Sequence, residues 1–121
     1  MKYLCMIFLD EKKLNALSRK ESRELDDQSL AYDEVLRRRN HFVAAQALQG
    51  VGAAKTIRPS HRKMLVTDGP FAETKEQIAG FILIEARDLD EAIQLASKIP
   101  AARFGGVEVR PVKELAASTK A

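Results

Sequence analysis

A chain of 121 residues, 45% hydrophobic and 31% charged, supports one hydrophobic core that buries roughly two-thirds of the unfolded surface. Twenty basic residues against seventeen acidic ones leave a net charge of +3, dispersed along the chain, which excludes a dedicated nucleic-acid surface. The single cysteine excludes an internal disulfide and fits a reduced cytoplasm, and no apolar run approaches the roughly 20 residues of a membrane span.

The opening "KYLCMIFL" places Tyr3, Cys5, Ile7 and Leu9 on one face and Leu4, Met6 and Phe8 on the other. This predicts a strand buried on both sides. It ends in charges without a small-residue cleavage site, unlike a signal peptide. A helical region is expected from about Asn15 to Arg39, with a break near Ser18 and with Leu25, Tyr32, Val35 and Leu36 on one stripe. The Arg37, Arg38 and Arg39 cluster sits where cations complement a helix C-terminus. "HFVAAQAL", residues 41–48, reads as a second strand, with a turn at Gly50 and Gly52. "AKTIRP" and "RKMLVTD" read as a hairpin around Ser60 and His61.

"IAGFILIEA", residues 78–86, is again apolar at both parities and predicts a second central strand. In "DLDEAIQLASKIP", Asp88 and Glu91 have capping-box spacing, Leu89, Ala92, Ile93 and Ala96 have helical spacing, and Pro100 stops the helix. "GVEVRPV" is the last strand, so one domain spans 1–113 and a polar tail spans 114–121. Strand, helix, strand, hairpin, strand, helix, strand is the order of an α+β, ferredoxin-like split βαβ fold with an inserted β-hairpin. Two helices cover one sheet face. The doubly apolar strands require cover on the other, and the expected cover is a second copy in a homodimer.

Between the hairpin and the next strand, "TDGPFAETKEQ" concentrates chemistry. The candidate catalytic residues are Asp68, Glu73, Lys75 and His41, which begins the second strand. Phe71 and Thr74 are the candidate ligand contacts. Asp68 or Glu73 would accept a proton, Lys75 or His41 would stabilise negative charge, and Phe71 would plug the interior as an apolar wall. Thr74 to Gln77 are expected to form one helical turn. The structural alternatives are Asp68 fixing its turn, His41 making a helix-end contact, and Glu73 with Lys75 forming a solvated pair worth under about 1 kcal/mol. His61 is expected in solvent. No metal or cofactor is expected, because two histidines twenty residues apart and one cysteine have no ligand spacing, and "GVG" lacks the Lys-Ser/Thr of a phosphate loop.

"VTDGPFAETKEQIAGFILIEARDLDEAIQLA", with "MKYLCMIF" before it and "VEVRPV" after it, resembles the DGPF proteins, a branch of the YCII-related family. The resemblance implies a dimeric α+β barrel. Some YCII relatives pair a histidine near the start of the first long helix with an aspartate, and one is a dehydrochlorinating lyase. Here "ESRELDDQSLAYDEV" holds no histidine, so that pair does not transfer. DGPF proteins also occur beside or fused to sigma factors. Two functions are therefore expected: a small-molecule-binding homodimer with cofactor-independent lyase- or isomerase-type chemistry, or a non-catalytic ligand-binding module that regulates a sigma factor.

Overall fold

A computed structural model describes residues 1–118 of the chain. Strand β1 (Lys2–Asp10) lies at the centre, antiparallel to β5 (Glu76–Glu85) on one side and to β6 (Gly105–Pro111) on the other. Strand β2 (Phe42–Ala47) pairs with the far side of β5, giving the sheet order β2-β5-β1-β6. This is the ferredoxin-like order that the two split βαβ units require. Strands β3 (Lys55–Ser60) and β4 (Lys63–Asp68) form the inserted hairpin as a separate two-stranded sheet. Its turn holds His61 and Arg62 at φ of 49° and 67°, the primed geometry that matches strand twist.

The expected helix break is a pair of caps. Helix α1 (Glu11–Asn15) starts on Asp10, which accepts from the Lys12 N–H at 3.0 Å. Helix α2 (Arg19–Arg38) starts on Ser18, whose hydroxyl accepts from Glu21 N–H while the Glu21 carboxylate accepts from Ser18 N–H. These bonds satisfy donors that a helix start leaves unpaired. The bonds at Ser18 also hold the Glu21 carboxyl below its ordinary pKa. Helix α3 (Leu89–Ala96) differs from the expected capping box at one bond. Asp88 accepts from Glu91 N–H at 2.9 Å, but Glu91 accepts from Arg87 N–H rather than from its cap residue.

Both long helices pack on one sheet face. Tyr3 and Cys5 of β1, Ile82 and Ile84 of β5, Leu36 of α2 and Ala92 of α3 form the centre of the core. Tyr32 joins the helices by donating its hydroxyl to the Leu95 carbonyl at 2.6 Å. Burial pushes the Cys5 thiol up to about 11, so it remains an inert apolar filler. On the opposite face Leu4, Met6 and Phe8 are half-buried, in register with Leu83, Phe81 and Ile78.

Three local features depart from expectation. Residues 74 and 75 form an irregular bend, and β5 begins at Glu76, so Thr74 to Gln77 make no helical turn. Pro100 stops α3 but also opens a 3-10 helix, Pro100–Phe104. A register shift opposite Ile7 and Phe8 leaves Ala79 as an extra residue in β5. The 114–121 tail has no regular structure as far as residue 118, and 119–121 lie outside the described residues. Among the described residues no helix is long and apolar enough to cross a membrane.

Strand β6 approaches β1 closely. A Cβ built on Gly105 would lie 2.0 Å from the Phe8 carbonyl oxygen, a backbone atom that cannot swing aside, whereas one on Gly106 meets nothing within 4 Å. Gly105→Ala is therefore expected to cost at least about 2 kcal/mol in urea unfolding. Gly106→Ala serves as the near-neutral control.

Candidate functional site

The segment after β4 closes on its own backbone. Asp68, at the end of β4, pairs with the Lys55 ammonium, and its side chain is 87% exposed. Gly69 turns the chain at φ 103°, a left-handed value that suits glycine. Its N–H donates to the Ala54 carbonyl at 2.8 Å, and its own carbonyl accepts from the Thr56 hydroxyl at 2.9 Å. Phe71 is 71% exposed, with the Arg58 guanidinium 4.1 Å from its ring centroid. It stacks outside the body and does not fill the interior. Thr74 donates to the Glu76 carbonyl, and the Gln77 amide donates to the Ala72 and Thr74 carbonyls. Glu73 and Lys75 are exposed.

His41 lies at the other end of the sheet. Its Nδ1 donates to the Glu85 carbonyl at 2.8 Å, while the Glu85 N–H donates to the His41 carbonyl at 2.8 Å. Strand β5 runs from Glu76, next to the loop, to Glu85, next to His41. At about 3.3 Å per residue the two ends are roughly 30 Å apart. Within one chain, His41 therefore does not meet Asp68, Glu73 and Lys75, and Asp68 to Thr74 group on an exposed loop. His61 is in the exposed hairpin turn.

A cleft of about 630 Å³ lies elsewhere, between α2 and the β2–β5 side of the sheet. None of the six candidate residues lines it. Leu9, Leu25, Ile82 and Ile99 supply apolar wall, and Leu30 and Leu48, exposed at 68% and 49%, also border it. The bulge at Ala79 brings Ala79 and Gly80 to its floor. The polar groups come mostly from α2: Ser22, Asp26, Ser29 and Asp33. Their spacing of four, three and four puts them on one helical face. This face adjoins the Leu25, Tyr32 and Leu36 stripe that enters the core, so one helix supplies core and cleft together.

Burial pushes the Asp33 carboxyl above its ordinary pKa, an effect that the charge of Arg37 partly offsets. Arg37 itself pairs with Glu34 at 2.5 Å and lies 4.3 Å from the Phe42 ring centroid. Neither Asp26 nor Asp33 joins an ion pair among the described residues. No group of three or more His, Cys, Asp or Glu side chains among these residues is placed to hold a metal ion. A carboxyl of raised pKa beside an apolar cleft is suited to exchange a proton with a bound molecule.

The 22-26-29-33 spacing was present in the sequence as a polar flank to the apolar stripe. It is less conspicuous than "TDGPFAETKEQ", whose composition instead serves a locally bonded turn. The exposed Lys55–Asp68 pair should contribute under about 1 kcal/mol. Asp68→Asn, followed by urea unfolding, is expected to give a change no larger than that.

The family model of the YCII-related domain matches residues 1–116. An uncharacterised protein of Rhizobium meliloti (strain 1021) is 35% identical over 114 residues, covering 93% of this chain and 92% of that protein. Among solved structures, 5-chloro-2-hydroxyhydroquinone dehydrochlorinase from Burkholderia phenoliruptrix AC1100, in complex with 2,5-dihydroxybenzoquinone, is similar at a TM-score of 0.54 and 17% identity. The match covers 93% of this chain and 94% of that one, and at such identity it speaks for the fold. With the family model spanning nearly the whole sequence, the chain belongs to the YCII-related domain family.

Proposed function

We propose that this chain is a cytoplasmic small-molecule-binding protein whose ligand occupies the cleft beneath α2, with Asp33 exchanging a proton in a cofactor-independent elimination or isomerisation. One observation carries the reading: a cleft of about 630 Å³ with apolar walls holds a carboxyl whose pKa burial has raised. In an elimination, the carboxylate takes a proton from carbon, the C–H electron pair becomes the new double bond, and the leaving group departs with its own pair. The dehydrochlorinase of similar fold is named for a reaction of this kind, which is compatible with the reading without fixing a substrate here.

The proposal moves the acid-base role from the Asp68 loop to α2. It also includes a homodimer through the sheet face that carries Leu4, Met6 and Phe8. The cleft lies on the helical side of the sheet, so such a dimer leaves it available. Light scattering at micromolar concentration is expected to show a dimer, and Met6→Asp is expected to dissociate or unfold it. A stable wild-type monomer would remove this part of the reading.

A thermal-shift screen with small ring compounds tests the site. Ala47 lines the cleft and is exposed, so Ala47→Phe should abolish binding of any hit while leaving the circular dichroism unchanged. Retained affinity would place the ligand elsewhere. The titration of Asp33 supplies a second check. A raised folded-state pKa means that the folded chain holds the proton more tightly than the unfolded chain. Stability from this group is then full at low pH and is lost as pH rises through the folded pKa. Asp33→Asn should accordingly raise the melting temperature at neutral pH, with the gain vanishing below the carboxylate range.

A further inference from the structure

We infer that the cleft selects an amine, a protonated nitrogen on a ring-sized apolar body, in preference to the matching alcohol and against the matching carboxylate. The inference rests on the cleft being the ligand site and adds the sign of charge that it accepts. Among the described residues, the charged side chains lining the cleft are Asp26 and Asp33, and no lysine, arginine or histidine lines it.

Two cations of the flanking elements make contacts elsewhere. Arg37 pairs with Glu34. Arg103, in the turn that follows α3, donates to the Gln28 side chain at 3.1 Å and to the Pro100 carbonyl at 2.9 Å. Asp26 and Asp33 are seven residues apart on α2, or about 10 Å along its axis, with Ser29 between them. Two like charges beside apolar walls, that of Asp33 partly offset by Arg37, give the cleft a negative potential, and among the described residues no cation lines it.

An entering carboxylate would add a third negative charge. An ammonium supplies three N–H donors, which suits the oxygens of Asp33 and Ser29, and Asp26 adds a second favourable charge. It would also offset the cost of partly burying Asp33. Leu9, Leu25, Ile82 and Ile99 would hold the apolar body. The cleft thus supplies the binding volume, and the two carboxylates set which charge is tolerated.

Three probes of one shape test this by isothermal titration on the wild-type chain: benzylamine, benzyl alcohol and benzoate. Benzylamine is expected to bind about tenfold more tightly than benzyl alcohol, as one charge-assisted contact allows, with benzoate weakest. Asp33→Asn should bring the amine-to-alcohol ratio close to one, and Asp26→Asn should lower it less. If benzyl alcohol binds and is displaced by Ala47→Phe, but benzoate equals or exceeds benzylamine, the amine inference falls and the cleft reading stands. If none of the three binds, or if Ala47→Phe leaves their affinities unchanged, both fall.

Discussion

The rotational phase of α2 decides what the two sides of the helix meet. Reciprocal bonds between Ser18 and Glu21 fix the residue at which the helix begins. From that start, Leu25 and Leu36 turn into the core, and the Tyr32 hydroxyl reaches the Leu95 carbonyl on α3. The same rotation brings Ser22, Asp26, Ser29 and Asp33 to the cleft. A helix begun one residue later would still be amphipathic by composition, but a rotation of about 100° would carry both faces away from the surfaces they now meet. The cap is therefore a specificity element as well as a stabilising one, since capping by itself is worth only about 1 kcal/mol.

Core and cleft make opposite demands on this helix. In the core, Leu36 and Tyr3 are nearly inaccessible, and burial only rewards apolar atoms. In the cleft, the same neighbourhood of apolar side chains removes water from Asp33 and penalises its charge. A position selected for stability alone would not carry an aspartate there. Groups held at some cost to stability are common at sites that act on ligands.

Much of the fold was legible because it rests on periodicity and local chemistry. Alternation at both parities marked β1 and β5 as central, Ser18 marked the helix break, and the run around Ser60 and His61 marked the hairpin. The cleft was not legible, because it arises from the placement of distant elements and from a bulge at Ala79 that no residue type announces. His41 and the Asp68 loop both looked like strand ends on one rim, yet the register of β5 puts them at opposite ends of the sheet. Phe71 was misplaced for a similar reason. An aromatic after a Gly-Pro turn can point inward or outward, and the partner that decided the matter, Arg58, lies across the hairpin.

The hairpin poses a problem of its own, since Ile57, Met64 and Val66 are each about 60% exposed on a ribbon that stands apart from the main sheet. Such a ribbon has two open edges, each a template for adding a foreign strand. Ser60 and Lys63 flank a two-residue turn, and the next pair outward is Pro59 with Met64. In the alternating antiparallel pattern, that next pair directs its amides away from the ladder. Proline at this position forfeits no bond within the hairpin but leaves a gap in the row of donors along its outer edge. The ring that looks out of place in a strand therefore limits uncontrolled polymerisation along that edge.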